Sequence, residues 1–186
     1  MTDSNVAPAT VVLLGDDSAG LDPLAELIGE EAPCHRYRGG SPAIDDEVAG
    51  LDRQREQWGL ERIVLIAHGA DGGALALAYA AVHPERVSVI GELSGAGIGE
   101  NASADGTRNY ADADLIGWAA GTQCPVYLVH GTADPRPVDG VLRLADRIPI
   151  ARKRIVMDAG DRPWLDQPDA VRELLAEIIG RSSSRA

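Results

Sequence analysis

Cysteine, lysine and phenylalanine are scarce or absent in this chain. Its 186 residues contain two cysteines, one lysine and no phenylalanine. Cys34 and Cys124 lack the spacing of metal ligands, so we expect two free thiols of a cytoplasmic protein. We therefore predict no metal site and no cofactor from these residues.

The chain also lacks a long apolar segment and an excess of basic over acidic residues. No apolar run approaches the roughly 20 residues that span a membrane, and residues 1–9 do not have the pattern of a signal peptide. The net charge of -12 argues against nucleic acid, which requires a basic patch. We expect a small-molecule ligand or substrate, no nucleic-acid or membrane partner, and leave open a homo-oligomer or a protein partner.

Short apolar runs alternate with helical patterns along the chain. The length and the 45% content of hydrophobic residues fit one globular domain. The runs predict strands at 9–15, 34–38, 62–68, 87–93, 126–131 and 154–159. Helices are expected at 21–31, 44–60, 72–82, around 110–120, at 138–148 and at 168–179. This alternation predicts a mainly parallel α/β sheet of about six strands with helices on both faces, and ligands bind such sheets at the carboxyl ends of the strands.

The stretch RIVLIAHGADGGALALAYAAVHPERV, residues 62–87, is a strand, a glycine-rich turn and an alanine-rich helix. It resembles the strand and helix that present the nucleophile in the α/β-hydrolase family. CPVYLVHGTADP (124–135) resembles the strand that delivers the acid of the family's catalytic triad, and MDAGDRPWLDQPDAVRELLAEIIG (157–180) resembles the segment that delivers its histidine. The resemblance covers nearly the whole chain and implies a three-layer α/β-hydrolase-like fold.

The resemblance also implies domain limits. We predict a single domain over 10–180 with flexible tails at 1–9 and 181–186. The family's lid corresponds here to a short segment of about 95–122, in which Tyr110 and Trp118 are potential ligand contacts. Their alternative role is packing of this segment against the domain.

The residues at the family's catalytic positions have changed. The nucleophile maps to Gly69 by strand register and to Ala70 by helix register, and neither side chain is nucleophilic. The triad acid is retained as Asp134, whereas Asp161 stands where the family has its histidine. A carboxylate with an ordinary pKa of about 4 cannot replace an imidazole directly, so a serine hydrolase with an intact triad is not expected.

Three carboxylates and their neighbours are the remaining candidates for chemistry. Asp71 is either a nucleophile, since GADGG reads as G-x-D-x-G, or a residue that stabilises the start of the following helix. Asp134 and Asp161 could share a proton and perform acid–base chemistry, because two carboxylates at close range cannot both ionise cheaply. Further binding candidates are Gly15, Asp16, Asp17, His68, Gly69, Ala70 and Arg162.

Three functions remain open from the sequence. The first is a non-classical enzyme, of isomerase, epimerase, cyclase or lyase type, that uses carboxylate acid–base chemistry on a small molecule. The second is a non-catalytic module that binds a ligand or a protein. The third is a hydrolase with Asp71 as its nucleophile.

Overall fold

Six parallel strands form one sheet at the centre of the molecule. A computed structural model describes residues 9–15, 20–99 and 110–182. The strands are β1 (Val11–Leu14), β2 (Cys34–Arg36), β3 (Ile63–His68), β4 (Val87–Leu93), β5 (Val126–Gly131) and β6 (Ala151–Val156). Their order across the sheet is β2-β1-β3-β4-β5-β6, and every neighbouring pair is parallel. The predicted six-stranded parallel sheet is confirmed.

Helices cover both faces of this sheet. They are α1 (Asp22–Glu31), α2 (Ile44–Gln57), α3 (Gly69–Val82), α4 (Asp112–Gly121), α5 (Val138–Ala145), α6 (Pro163–Asp166) and α7 (Pro168–Ser182). Alternate residues of β1, β3 and β5 enter different cores, as a pleated strand requires. In β3, Leu65 packs with the core formed by α2 to α5, whereas Ile66 packs with the core formed by α1, α6 and α7. The predicted three-layer arrangement is therefore present.

Several predicted boundaries were wrong. The helix expected at residue 72 begins at Gly69, because β3 passes into it without an intervening loop. The last strand lies at 151–156 and not at 154–159: its first half reads ARKR, and the chain turns away at Asp158, whose φ is +57°. Helix α7 continues to Ser182, so Arg181 and Ser182 are helical rather than part of a C-terminal tail.

A glycine fixes the loop that follows β6 against the end of β5. A Cβ atom on Gly131 would lie 2.0 Å from the carbonyl oxygen of Ala159, so only glycine allows this approach. The amide of Ala133 donates a hydrogen bond to the same oxygen at 2.8 Å. The segment that carries Asp161 is thereby held beside the segment that carries Asp134.

Candidate functional site

The chain turns from β3 into α3 at Gly69, the first residue of the helix. Gly69 has a φ of +74°, a conformation that glycine adopts without the penalty other residues meet. His68 before it is extended, and Ala70 and Asp71 already belong to the helix. The turn thus lies at Gly69, the residue to which the strand register points, and Ala70, to which the helix register points, is the next residue of the helix.

Space is available at the tip. A Cβ atom built on Gly69 meets no other atom within 4 Å. A nucleophile-bearing turn of this kind holds its side chain in an exposed position. Residue 69 of this chain has a hydrogen atom where such a side chain would stand, with open space around it.

Asp134 forms an ion pair with Arg136. The Nε and Nη2 atoms of Arg136 donate hydrogen bonds to Oδ1 and Oδ2 of Asp134 at 3.2 and 2.9 Å, and the backbone amide of Arg136 donates to Oδ1 at 2.9 Å. The Asp134 side chain is inaccessible to solvent. The same guanidinium donates to the carbonyl oxygens of Ser94 and Gly95. Arg136 therefore joins the loop after β5 to the loop after β4.

These contacts make it unfavourable for Asp134 and Asp161 to share a proton, the arrangement that the sequence suggests. A shared proton would raise the pKa of one carboxylate. Burial does raise the pKa of Asp134, but the hydrogen bonds from Arg136 outweigh it and leave that pKa below its ordinary value. Asp161 is half-exposed, and its nearest ion-pair contact is Nε of Arg162, 3.8 Å from Oδ1. The two carboxylates thus contact different arginines.

His68 is a buried residue at the end of β3, directly before Gly69. Its Nε2–H donates a hydrogen bond to the backbone oxygen of Asp161 at 3.0 Å, and its ring meets the ring of Trp164 edge-on at 4.7 Å between centroids. Burial lowers the pKa of His68, so it is neutral near pH 7. Its contacts hold the loop of Asp161 against β3.

A cavity of about 690 Å³ adjoins the turn, within the range of about 300–1,000 Å³ typical of ligand sites. We call it the elbow pocket. Its larger side chains are Tyr37, Pro42, Ile44, Leu75 and Tyr110. Its polar side chains are Arg38, Ser41, Glu47 and Asp71, and its glycines are Gly15, Gly39, Gly40 and Gly72.

The loop between β2 and α2 forms one wall of the elbow pocket and is fixed by Glu47. Oε1 of Glu47 accepts hydrogen bonds from the amides of Gly40 and Ser41 at 2.7 and 2.5 Å. The hydroxyl of Tyr37 donates to the backbone oxygen of Glu47 at 3.2 Å. Burial, with Glu47 close by, raises the pKa of Tyr37 to about 12, so this phenol remains neutral.

Tyr110 forms part of the pocket next to the turn. Its hydroxyl donates a hydrogen bond to the carbonyl oxygen of Ala70 at 3.1 Å, and its ring lies 5.6 Å from that of Trp118, centroid to centroid. Tyr110 thus lines the pocket and also packs against Trp118 of α4, so the packing role is observed, and its contact with a ligand stays a prediction.

The predicted site residues divide into three groups. Gly15 and Asp71 line the elbow pocket, and Ala70 contributes its carbonyl oxygen to the contact with Tyr110. The described residues of its lining do not include His68, Gly69, Asp134, Asp161 or Arg162. Asp16 and Asp17 lie outside the described residues.

The sequence did not predict the role of Arg136 or the wall of the elbow pocket at residues 38–42. The signal for the wall was available, because RGGSP follows β2 after one residue, Tyr37, at the carboxyl end of the sheet, where ligands bind. Arg136 has no comparable signal, since its role depends on how the loops after β4 and β5 meet. Within 9–15, 20–99 and 110–182, no helix is long and apolar enough to cross a membrane, and no cluster of three side chains could hold a metal.

Comparison with known proteins bears on the fold. No family model and no curated protein matches the sequence. Among solved structures, the 2-hydroxy-6-oxo-6-phenylhexa-2,4-dienoate hydrolase of Rhodococcus sp. strain RHA1 superposes with a TM-score of 0.75 at 14% identity, over 93% of this chain and 90% of that one. A thermophilic esterase from Thermogutta terrifontis gives 0.73 at 15% identity, over 94% and 90%.

A third structure agrees with these two. An alpha/beta hydrolase enzyme from the metagenome of lagoon sediments of Mar Chica superposes with a TM-score of 0.77 at 15% identity, over 94% of this chain and 92% of that one. Each similarity covers more than nine-tenths of this chain, while the identity is too low to transfer an activity. The chain has the α/β-hydrolase fold.

Proposed function

We propose that this protein binds a small organic molecule in the elbow pocket and does not carry out serine hydrolysis. The observation that carries the proposal is a ligand-sized cavity beside a strand–helix turn whose tip is Gly69. The pocket offers aromatic and aliphatic side chains together with a few polar groups, the usual composition of a ligand site.

The contacts of the other triad positions support the absence of serine hydrolysis. That reaction requires a nucleophile, a base beside it and an acid that orients the base. Gly69 supplies no nucleophile, and Asp134 is bound to Arg136 at the position of the orienting acid. Asp161, at the position of the base, has a half-exposed carboxylate beside Arg162. The imidazole beside Asp134 is that of His130, whose Nδ1 lies 3.7 Å from Oδ2, but His130 belongs to β5 and not to the segment in which the family has its histidine.

A second candidate function is acid–base catalysis by Asp71. Of the three carboxylates predicted to be catalytic, Asp71 is the one in the described lining of the elbow pocket. A carboxylate in a pocket can remove or return a proton without forming a covalent intermediate. Isomerisation or elimination at this carboxylate fits the first function predicted from the sequence, with Asp71 in place of the Asp134–Asp161 pair.

Ligand screening of a pocket-blocked variant tests the binding proposal. A Cβ atom at Gly40 meets no atom within 4 Å, so Gly40→Trp should fold and fill the elbow pocket with an indole ring. Gly29→Trp is the matched control, because Gly29 is exposed on α1 and has the same free space. We expect compounds that raise the melting temperature of the wild type and of Gly29→Trp to have no effect on Gly40→Trp.

Two results would overturn the binding proposal. One is a set of stabilising compounds that act equally on Gly40→Trp. The other is wild-type hydrolysis of p-nitrophenyl esters that a serine-directed phosphonate abolishes. Incubating each bound compound with wild type and Asp71→Asn, followed by mass and NMR spectra, separates binding from turnover. Product formed by the wild type and lost in Asp71→Asn would support the second candidate.

A further inference from the structure

Five consecutive residues, 38–42, form one wall of the elbow pocket. They connect β2 to α2 and belong to neither a strand nor a helix, so the hydrogen bonds of regular secondary structure do not hold them in place. A ligand that must first order a loop binds more weakly than one that meets a preformed surface. The contacts that fix this wall therefore affect how tightly the pocket binds.

The side chain of Glu47 extends from the first turn of α2 back to this wall. Its Oε1 atom accepts hydrogen bonds from the amides of Gly40 and Ser41 at 2.7 and 2.5 Å. Hydrogen bonds to a charged acceptor are about twice as strong as those between neutral groups. One carboxylate thus fixes two successive peptide groups in the middle of the wall.

The backbone of Gly39 lies directly against the same carboxylate. A Cβ atom on Gly39 would collide with Oε2 of Glu47, whereas a Cβ atom on Gly40 meets no other atom within 4 Å. The contact therefore requires glycine at residue 39 but has room for alanine at residue 40. The carboxylate of Glu47 fits closely against three successive residues, 39–41.

Other described contacts fix the two ends of the wall. The hydroxyl of Tyr37 donates to the backbone oxygen of Glu47 at 3.2 Å. The hydroxyl of Ser41 donates to Oδ2 of Asp46 at 3.1 Å and accepts a hydrogen bond from the amide of Ala43 at 3.2 Å. Among the described contacts, the carboxylate of Glu47 is the one that holds the middle of the wall.

We infer that Glu47 is the positioning residue of the elbow pocket: its carboxylate holds residues 39–41 in the shape that contacts the ligand. The inference rests on the proposed function and adds to it the residue that sets the affinity. Glu47 acts through the loop, so the reach of its side chain matters more than its charge. Glutamine keeps an acceptor oxygen at the same reach, whereas aspartate keeps the charge on a side chain that is one methylene shorter.

Binding of a neutral apolar dye tests this role. N-phenyl-1-naphthylamine, whose fluorescence rises in apolar surroundings, is titrated into each variant, and loss of binding in Gly40→Trp assigns its site. We expect Glu47→Gln to bind the dye within about threefold of the wild type, and Glu47→Asp and Glu47→Ala to bind it at least about tenfold more weakly. Asp45→Ala is the control, because it removes an exposed carboxylate from the same turn of α2 and should bind like the wild type.

A pair of alanine variants tests the same contact without changing Glu47. In Gly39→Ala the added methyl group displaces the carboxylate, so dye binding should weaken as in Glu47→Asp. Gly40→Ala is the matched control, since it adds the same methyl group where space is free, and it should bind the dye like the wild type. Equal affinity of the two alanine variants would overturn the inference.

Proteolysis reports on the wall in the absence of a ligand. Trypsin cleaves the peptide bond that follows Arg38, an exposed residue, and exposed segments that are not held in place are cleaved first. Cleavage at this bond, followed by mass spectrometry, should be several-fold faster in Glu47→Asp than in Glu47→Gln or the wild type. Circular dichroism at the assay temperature verifies that each variant is folded.

The outcomes separate this inference from the proposed function. Dye binding that Gly40→Trp abolishes and Glu47→Ala leaves unchanged would overturn the positioning role while the binding function stands. An equal loss of affinity in Glu47→Gln and Glu47→Asp would also overturn it, since the reach of the side chain would then not be the cause. Failure of the wild type to bind the dye would contradict both proposals.

Discussion

Arg136 binds both carboxylate oxygens of Asp134: its Nη2 lies 2.9 Å from Oδ2, and its Nε lies 3.2 Å from Oδ1. Two parallel hydrogen bonds to a charged group are stronger and more directional than one. The resemblance to the α/β-hydrolase family predicts that a carboxylate at this position orients a catalytic imidazole. Here an arginine two residues away in the chain occupies it and ties it to the carbonyls of Ser94 and Gly95.

Removal of this arginine should cost stability. We expect Arg136→Ala to lower the free energy of unfolding by about 1–3 kcal/mol, because a solvent-inaccessible carboxylate loses its charged partner. Urea unfolding of the wild type, Arg136→Ala, Asp134→Asn and the double variant measures the coupling between the two residues. The double variant should lose less than the sum of the single ones, and strictly additive losses would contradict a coupled pair.

Asp134 should also contribute to the loss of unfolding free energy at acid pH. The pKa of Asp134 is lower in the folded chain than in the unfolded one, where it is about 4. Its contribution is therefore complete above about pH 4 and is lost as the pH falls through the folded value. Asp134→Asn should flatten the decline of unfolding free energy below pH 4. An acid limb as steep as that of the wild type would argue against this assignment.

His68 should give a second pH dependence at milder acidity. Burial lowers the pKa of His68 in the folded chain, so below about pH 6.5 the unfolded chain takes up the proton first. Stability is full above that pH and decreases as the pH falls below it. His68→Gln removes the titrating group and keeps a side-chain N–H for the oxygen of Asp161. The variant should therefore show a smaller slope between about pH 5 and 6.5 when unfolding is followed at constant ionic strength.

Gly69→Ser should create the side chain of a serine hydrolase without its activity. The added Cβ meets no neighbour within 4 Å, but the φ of +74° is strained for serine and should cost about 1–3 kcal/mol. Ala70→Ser is the matched control, because residue 70 is already helical. We expect a lower melting temperature for Gly69→Ser than for Ala70→Ser.

Neither serine variant should hydrolyse p-nitrophenyl esters beyond the wild-type level, since Asp134 remains bound to Arg136 and Asp161 is not an imidazole. Esterase activity in Gly69→Ser would mean that another group serves as the base. An equal loss of stability in the two variants would remove the support for Gly69 as the tip of the turn.

The sequence by itself determined the layered fold and placed the turn within residues 69–71, but it did not fix which of these residues forms the tip. The alternation of apolar runs with helical patterns reflects strands buried on both faces and helices buried on one, and this periodicity is local. The absence of a serine and of a histidine at the family's positions is equally a property of the sequence. Boundaries such as that of β6 were less certain, because its first residues are charged and only pairing with β5 makes them a strand.

The tertiary structure decided which of the candidate residues meet. Asp134 and Asp161 follow neighbouring strands, but the loops direct one to Arg136 and the other to solvent and Arg162. The loop after β2 contributes a pocket wall because the carboxylate of Glu47 folds it back against α2. Such contacts depend on loop paths and side-chain rotamers between elements distant in the chain, and no local pattern of residues encodes them.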